Sequence, residues 1–225
     1  MIDTTPVGKI MHIFVGMPKS YGVADAPDPH DRAWTTAFYK EPALGVIRVC
    51  LTHMEGDAPA DPKNHGGPEK AVFAYAAAHY PRWRAELERP EIAYGMFGEN
   101  LTVAGLSEET VCIGDTYAIG DVRIQISQPR EPCWKLGRRL RDASLVKQVQ
   151  ANGRTGWHHR VLQEGEIAPG LPVILLDRPY PEWTVQRANR VRYARDAPNE
   201  AADLATCVLL APYWRHVMSE RAKRT

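Results

Sequence analysis

Thr116-Tyr117-Ala118-Ile119-Gly120-Asp121-Val122-Arg123-Ile124-Gln125-Ile126-Ser127-Gln128-Pro129-Arg130-Glu131-Pro132-Cys133-Trp134-Lys135 is the stretch whose pattern decides the fold. Two alternating runs flank Gly120-Asp121, a two-residue turn that predicts a β-hairpin. Pro129 and Pro132 cannot donate to a central ladder, so the chain there leaves the sheet or follows its rim. From 134 to 149 the pattern becomes helical, bent near Asp142-Ala143-Ser144 and stopped by Asn152-Gly153. Cys133 therefore falls where strand gives way to helix, between Arg130 and Lys135. Such surroundings favour the thiolate, the form that attacks electrophiles or binds soft metals.

Working outward, the pattern predicts strands at 7–16, 44–51, 157–162 and 172–176. A loop enters a further strand over 97–103 with its bend at Gly98, and 165–170 reads as a turn region. Pro68 suits a helix start, predicting a helix over 69–79, and Pro81 opens another to 88. Many short strands with few helices imply a mainly β fold with α (α+β), a twisted sheet or barrel with helices at its ends. After Asp177 an extended Arg178-Pro179-Tyr180-Pro181 leads into a different texture. Thr184 is an N-cap candidate for a helix to 193, and 199–207 and 212–223 are two more. The predicted organisation is a body over 1–180 and a helical appendage over 181–225. The appendage is too small to build much core alone, so it should pack on the body or on a partner.

With 225 residues, 44% apolar and 24% charged, the composition is that of an ordinary globular protein. A net charge of +1 argues against a nucleic-acid binder that relies on a strong positive field. No apolar run approaches the ~20 residues that span a bilayer. The N-terminal residues lack a secretory pattern, so the expected location is cytoplasmic, with thiols reduced. Cys50, Cys112, Cys133 and Cys207 are dispersed, unlike a zinc or iron–sulfur pattern. Cys50, Cys112 and Cys207 lie in apolar stretches and read as small core residues.

Three other runs carry candidate chemistry. In His65-Gly66-Gly67-Pro68-Glu69-Lys70-Ala71 a glycine pair before a helix start admits a ligand phosphate, with Lys70 and His65 in support; a tight turn with a solvated lysine is the alternative. In Gly95-Met96-Phe97-Gly98-Glu99-Asn100-Leu101-Thr102-Val103, Asn100 and Thr102 share a strand face, suited to hydrogen-bonding a polar heterocycle; a β-bend with a turn-forming Asn is the alternative. In the 152–160 run, Arg154 and Thr155 follow a helix stop and can close an anion site, while His158 and His159 read as surface residues. No Gly-x-Ser-x-Gly elbow is present. A Cys133–His65 dyad stays open, because sequence does not place the two together. By itself the Cys133 segment leaves metal ligand, nucleophile and buried filler as alternatives.

Taken together, four runs resemble the MOSC domain family, relatives of the C-terminal domain of molybdenum cofactor sulfurase. They are His65-Gly66-Gly67-Pro68-Glu69-Lys70-Ala71-Val72, Phe97-Gly98-Glu99-Asn100-Leu101-Thr102, Ser127 through Lys135, and Gly153-Arg154-Thr155-Gly156-Trp157. Their order and spacing also fit. More narrowly, the chain resembles the bacterial subgroup named for N-hydroxylaminopurine resistance, including its three-helix C-terminal extension from about Trp183-Thr184-Val185. Where that subgroup often has Gly-Asp-Gly, this chain has Gly56-Asp57-Ala58, which is unfavourable for a left-handed backbone at 58. The resemblance implies a MOSC-type β-barrel body and a bound pyranopterin molybdenum cofactor. It implies Cys133 as the molybdenum ligand at the catalytic centre, with His65, Lys70, Asn100, Thr102, Arg130 and Arg154 as cofactor-binding candidates. The implied reaction is reductive removal of oxygen from small N-hydroxylated substrates such as hydroxylaminopurines, with electrons from a separate flavin-type reductase. The alternative is a non-catalytic carrier of the cofactor or a sulfur-transfer module.

Overall fold

The alternation around Gly120-Asp121 becomes an antiparallel hairpin in the computed structural model, which describes residues 5–194 and 196–223. The strands are β1 (Pro6–Val15), β2 (Lys19–Tyr21), β3 (Trp34–Thr36), β4 (Glu41–Pro42), β5 (Ile47–Val49), β6 (Val72–Ala76), β7 (Leu101–Ala104), β8 (Thr116–Ile119), β9 (Val122–Pro129), β10 (Trp157–Gln163), β11 (Gly165–Ile167) and β12 (Pro172–Asp177). The helices are α1 (Pro62–His65), α2 (His79–Glu86), α3 (Trp134–Arg139), α4 (Leu145–Asn152), α5 (Val185–Tyr193), α6 (Pro198–Thr206) and α7 (Pro212–Ala222). Strands pair in the order β12-β8-β9-β10-β6-β7-β1, and β1 pairs back onto β12, so the sheet closes into a barrel. Closure removes free strand edges. All these pairings are antiparallel except β6–β7, whose parallel pairing requires a crossover, made through α2.

The helix expected over 69–79 is corrected by the structure. Only a three-residue 3-10 turn, Pro68–Lys70, follows the glycines, and the chain then forms strand β6. The cause is burial on both faces. Val72, Ala74 and Ala76 join the main core, whereas Phe73 and Tyr75 join a second cluster with Tyr80, Trp83, Phe97, Leu136, Leu145 and Val149. A strand covered on both faces is a continuous apolar run with no polar alternation, and at this length it passes for a helix. The hairpin, the helix break between α3 and α4, and the left-handed stop at Gly153 (φ 74°) follow the sequence pattern. The strand expected over 44–51 is shorter: β5 pairs with β11, so part of the supposed 165–170 turn is also strand. Ala58 has no left-handed backbone; its N–H donates to the Gly16 carbonyl at 3.2 Å.

The tail begins where Thr184 Oγ1 accepts the Arg187 N–H at 3.1 Å. Trp183 beside it is 1% exposed. The main apolar cluster runs unbroken from the barrel through Val185, Val191, Leu204, Trp214 and Met218. Among the described residues no helix is long and apolar enough to cross a membrane.

Candidate functional site

Strand β9 ends at Pro129, and Cys133 caps α3 in extended conformation (φ −121°, ψ 169°), half-buried. It lies in the wall of a cleft of about 660 Å³ that also receives His65, Lys70, Asn100 and Arg130. That size suits a cofactor or small ligand. The Gly-Gly run forms one side: Gly67 has φ 94°, a left-handed value that favours glycine, and a Cβ there would enter open space. Gly98 serves differently, since a Cβ on it would come within 2.8 Å of the Phe38 ring in the cleft.

Charge defines the site. Its carboxylates are neutralised by cations of the fold: Asp57 by Lys40, Glu69 by Arg160 at 2.5 Å, and Glu131 by Arg192 at 2.8 Å. Lys63, Lys70, Lys135 and Arg130 line the same cleft, and among the described residues none forms an ion pair. Lys70 Nζ donates to the Asn64 carbonyl at 2.7 Å. The Arg130 residue is 6% exposed, its guanidinium 5.4 Å from the Phe73 ring centre and 5.9 Å from that of Phe38. A buried guanidinium without an anion is costly, and a cleft ending in such a group is built to receive an anion. Because the Gly-Gly loop leads into a single 3-10 turn, the positive field comes from these side chains and not from the helix start expected from sequence.

Desolvation of the ring, then the charges of Lys135, Lys70 and Arg130, push the His65 imidazole down to about 4, although the residue as a whole is exposed. It is neutral near pH 7, so it brings no imidazolium to Cys133, and among the described residues no hydrogen bond joins the two. The geometry therefore does not favour a cysteine–histidine hydrolase. His158 and His159 are corrected from surface residues to interior ones. A bulge sets His158 opposite Gln128 but His159 opposite Ile126, and the Ser127 hydroxyl lies 2.5 Å from the Glu69 carbonyl and 3.1 Å from that of His158. Such bulges re-aim side chains beside sites: His158 reaches the cleft, and His159, 3% exposed, does not. Burial holds His158 well below its ordinary value, reinforced by Lys70 and Arg130, and its buried Nδ1 has no hydrogen-bond partner among the described residues.

Two sequence candidates are not brought to the cleft. Thr102 is fully buried and donates to Glu99 Oε1 at 2.9 Å. Arg154 stacks 4.0 Å over Trp83 and pairs with Glu86 at 2.5 Å. Asn100 does line the cleft, but it accepts from Phe73 N–H at 3.0 Å and donates to the Phe14 carbonyl at 3.2 Å and Asp57 Oδ2 at 3.0 Å. Of the other thiols, Cys112 and Cys207 are buried, and burial pushes both up to about 11. Cys50 is corrected from core to half-exposed, in a turn where its N–H donates to the His53 carbonyl at 2.8 Å. Sequence reasoning missed His158, whose only signal was a strand position opposite a bulge, and Tyr213 from the tail, for which there was no local signal.

Comparison with known proteins bears on family and fold. The MOSC domain model matches residues 61–174, the segment carrying both the Gly-Gly loop and Cys133. YflK of Bacillus subtilis is 43% identical over 191 residues, 84% of this chain and 86% of that protein. A Gibberella moniliformis protein named reductase is 43% identical over 165 residues, 72% of this chain but 29% of that longer protein. The crystal structure of YiiM from Geobacillus stearothermophilus superposes with a TM-score of 0.79 at 32% identity, covering 96% of this chain and 99% of the other. A closed barrel shared along nearly the whole chain, and a family match spanning both walls of the cleft, leave one assignment: this protein belongs to the MOSC domain family.

Proposed function

We propose that the cleft binds a pyranopterin molybdenum cofactor and reduces small N-hydroxylated compounds such as hydroxylaminopurines. The observation that carries this reading is the pairing of one half-buried thiol, Cys133, with four cations that form no ion pair among the described residues, Lys63, Lys70, Lys135 and Arg130. The donor set fits the group: soft sulfur suits molybdenum, and a buried, unpaired guanidinium suits a phosphate. Cys133 would hold the metal as thiolate, and Arg130, Lys70, Lys135 and His65 would hold the anionic and polar parts of the pterin. Asn100 would contribute by fixing the cleft wall.

When bound, the cofactor supplies a two-electron oxygen acceptor. The reaction R–NHOH + 2e⁻ + 2H⁺ → R–NH₂ + H₂O balances with electrons from a separate flavin-type reductase. The fungal relative's name supports an oxidoreductase reading, and its greater length leaves room for further modules. The chain's own residues bind, orient and exclude water. Lys70, held by the Asn64 carbonyl, keeps an ammonium in the cleft, and its affinity for the proton is lowered by burial.

The test is metal analysis of protein made in cells able to build the cofactor, wild type against Cys133→Ala, with reduction of 6-N-hydroxylaminopurine assayed in the presence of a supplied reductase. Molybdenum in the wild type but not in the variant, with turnover, is the expected result. Wild type without molybdenum above the variant's level overturns the reading; molybdenum without reduction supports a carrier instead.

A further inference from the structure

We infer that the helical tail completes the substrate site and that Tyr213, the second residue of α7, is the stacking residue for a planar heterocyclic substrate. This rests on the reading that the cleft reduces N-hydroxylated bases. Ala211, Pro212 and Tyr213 stand in the same cleft wall as Cys133, Lys70 and Arg130, although they lie far along the chain from all three. Their position is held on two sides. The Ala211 N–H donates to the Ser127 carbonyl at 2.8 Å, on the strand that leads to Cys133. The Arg160 guanidinium donates to the Leu209 carbonyl at 2.8 Å and to Glu69 of the Gly-Gly loop, tying the tail to the opposite side of the site's framework.

Leu210 and Ala211 are each 1% exposed, and Trp214 and Met218 are fully buried. One residue before Trp214, a helical turn of 100° directs Tyr213 away from the tail's core, and it is 53% exposed. Among the described residues its ring makes no hydrogen bond, ion pair or ring contact. Phe38 and Phe73, the other aromatic side chains of the cleft, are both faced by the Arg130 guanidinium. Tyr213 thus carries a free ring face on an anchored stretch of backbone, in a cleft of ligand size. Aromatic faces bind bases through stacking that tolerates differences between bases. The substrate class that follows is aromatic N-hydroxylated heterocycles in preference to aliphatic ones, with little choice among purines.

The full-length, cofactor-loaded protein tests this with reduced methyl viologen as electron donor and two substrates, 6-N-hydroxylaminopurine and the non-aromatic N-hydroxyurea. Tyr213→Ala is expected to raise KM for the purine roughly tenfold, the size of a base–aromatic stack, and to leave N-hydroxyurea reduction and molybdenum content unchanged. Tyr213→Phe is expected to behave as wild type. Equal losses on both substrates, or no loss on either, overturn the inference. A wild type that reduces neither compound fails the functional reading alone. Fluorescence titration with 2-aminopurine then decides: weaker, less quenched binding by Tyr213→Ala upholds the inference, and equal or undetectable binding by both proteins overturns it.

Discussion

Asn100→Ala separates a strut from a ligand. The side chain is 3% exposed and joins three segments. Only a carbonyl oxygen can accept the Phe73 N–H, so the amide orientation is set, and both amide hydrogens go to the Phe14 carbonyl and Asp57. Removing it deletes two neutral hydrogen bonds of about 1 kcal/mol each and one to a carboxylate of about 2 kcal/mol, and leaves the buried Phe73 N–H without its partner. The expected loss is about 4 kcal/mol, which lowers Tm by roughly 10 °C for a chain of this length. Thermal and urea denaturation of the cofactor-free protein measure it. Asn100→Asp keeps the acceptor for Phe73 but sets a second carboxylate 3.0 Å from Asp57, so its deficit should shrink as pH falls and one of the pair protonates. An Asn100→Ala protein that melts within about 2 °C of wild type yet fails to bind cofactor would refute this reasoning and make Asn100 a ligand group.

Two further outcomes follow from the interior. Burial holds His159 at about 3, below its ordinary 6.5, so below pH 6.5 the unfolded chain binds a proton that the native one refuses. Stability should therefore fall from about pH 6.5 toward pH 3, by up to about 1.4 kcal/mol per pH unit from this residue, and a His159→Phe variant that folds should show a shallower slope; an unchanged slope would contradict it. Iodoacetamide at pH 7.5 should modify half-exposed Cys133 and Cys50 and spare Cys112 and Cys207, which are buried and held near 11. Mass spectrometry reads the sites, and early labelling of Cys112 in the native protein would contradict the burial.

Local chemistry made much of this protein legible before folding. Gly120-Asp121 between alternating runs suffices for the hairpin, Asn152-Gly153 for a helix stop, and Thr184 for the N-cap, because turns and caps are decided by a few neighbouring residues. Cys133 at a strand-to-helix junction was legible for the same reason, and so was its company in four ordered runs. Only the tertiary structure decided that 72–76 is a strand, since burial on both faces erases the alternation that marks one. Only it could divide the cations into those consumed by Asp57, Glu69 and Glu131 and those left for a ligand. Whether Asn100 reaches outward or braces the interior depends on partners dozens of residues away, and Tyr213 enters the site because barrel closure and tail packing bring the far end of the chain beside Cys133. Sequence determines the chemistry each residue carries; which of that chemistry is spent inside the fold, and which remains for a ligand, is a property of long-range contacts.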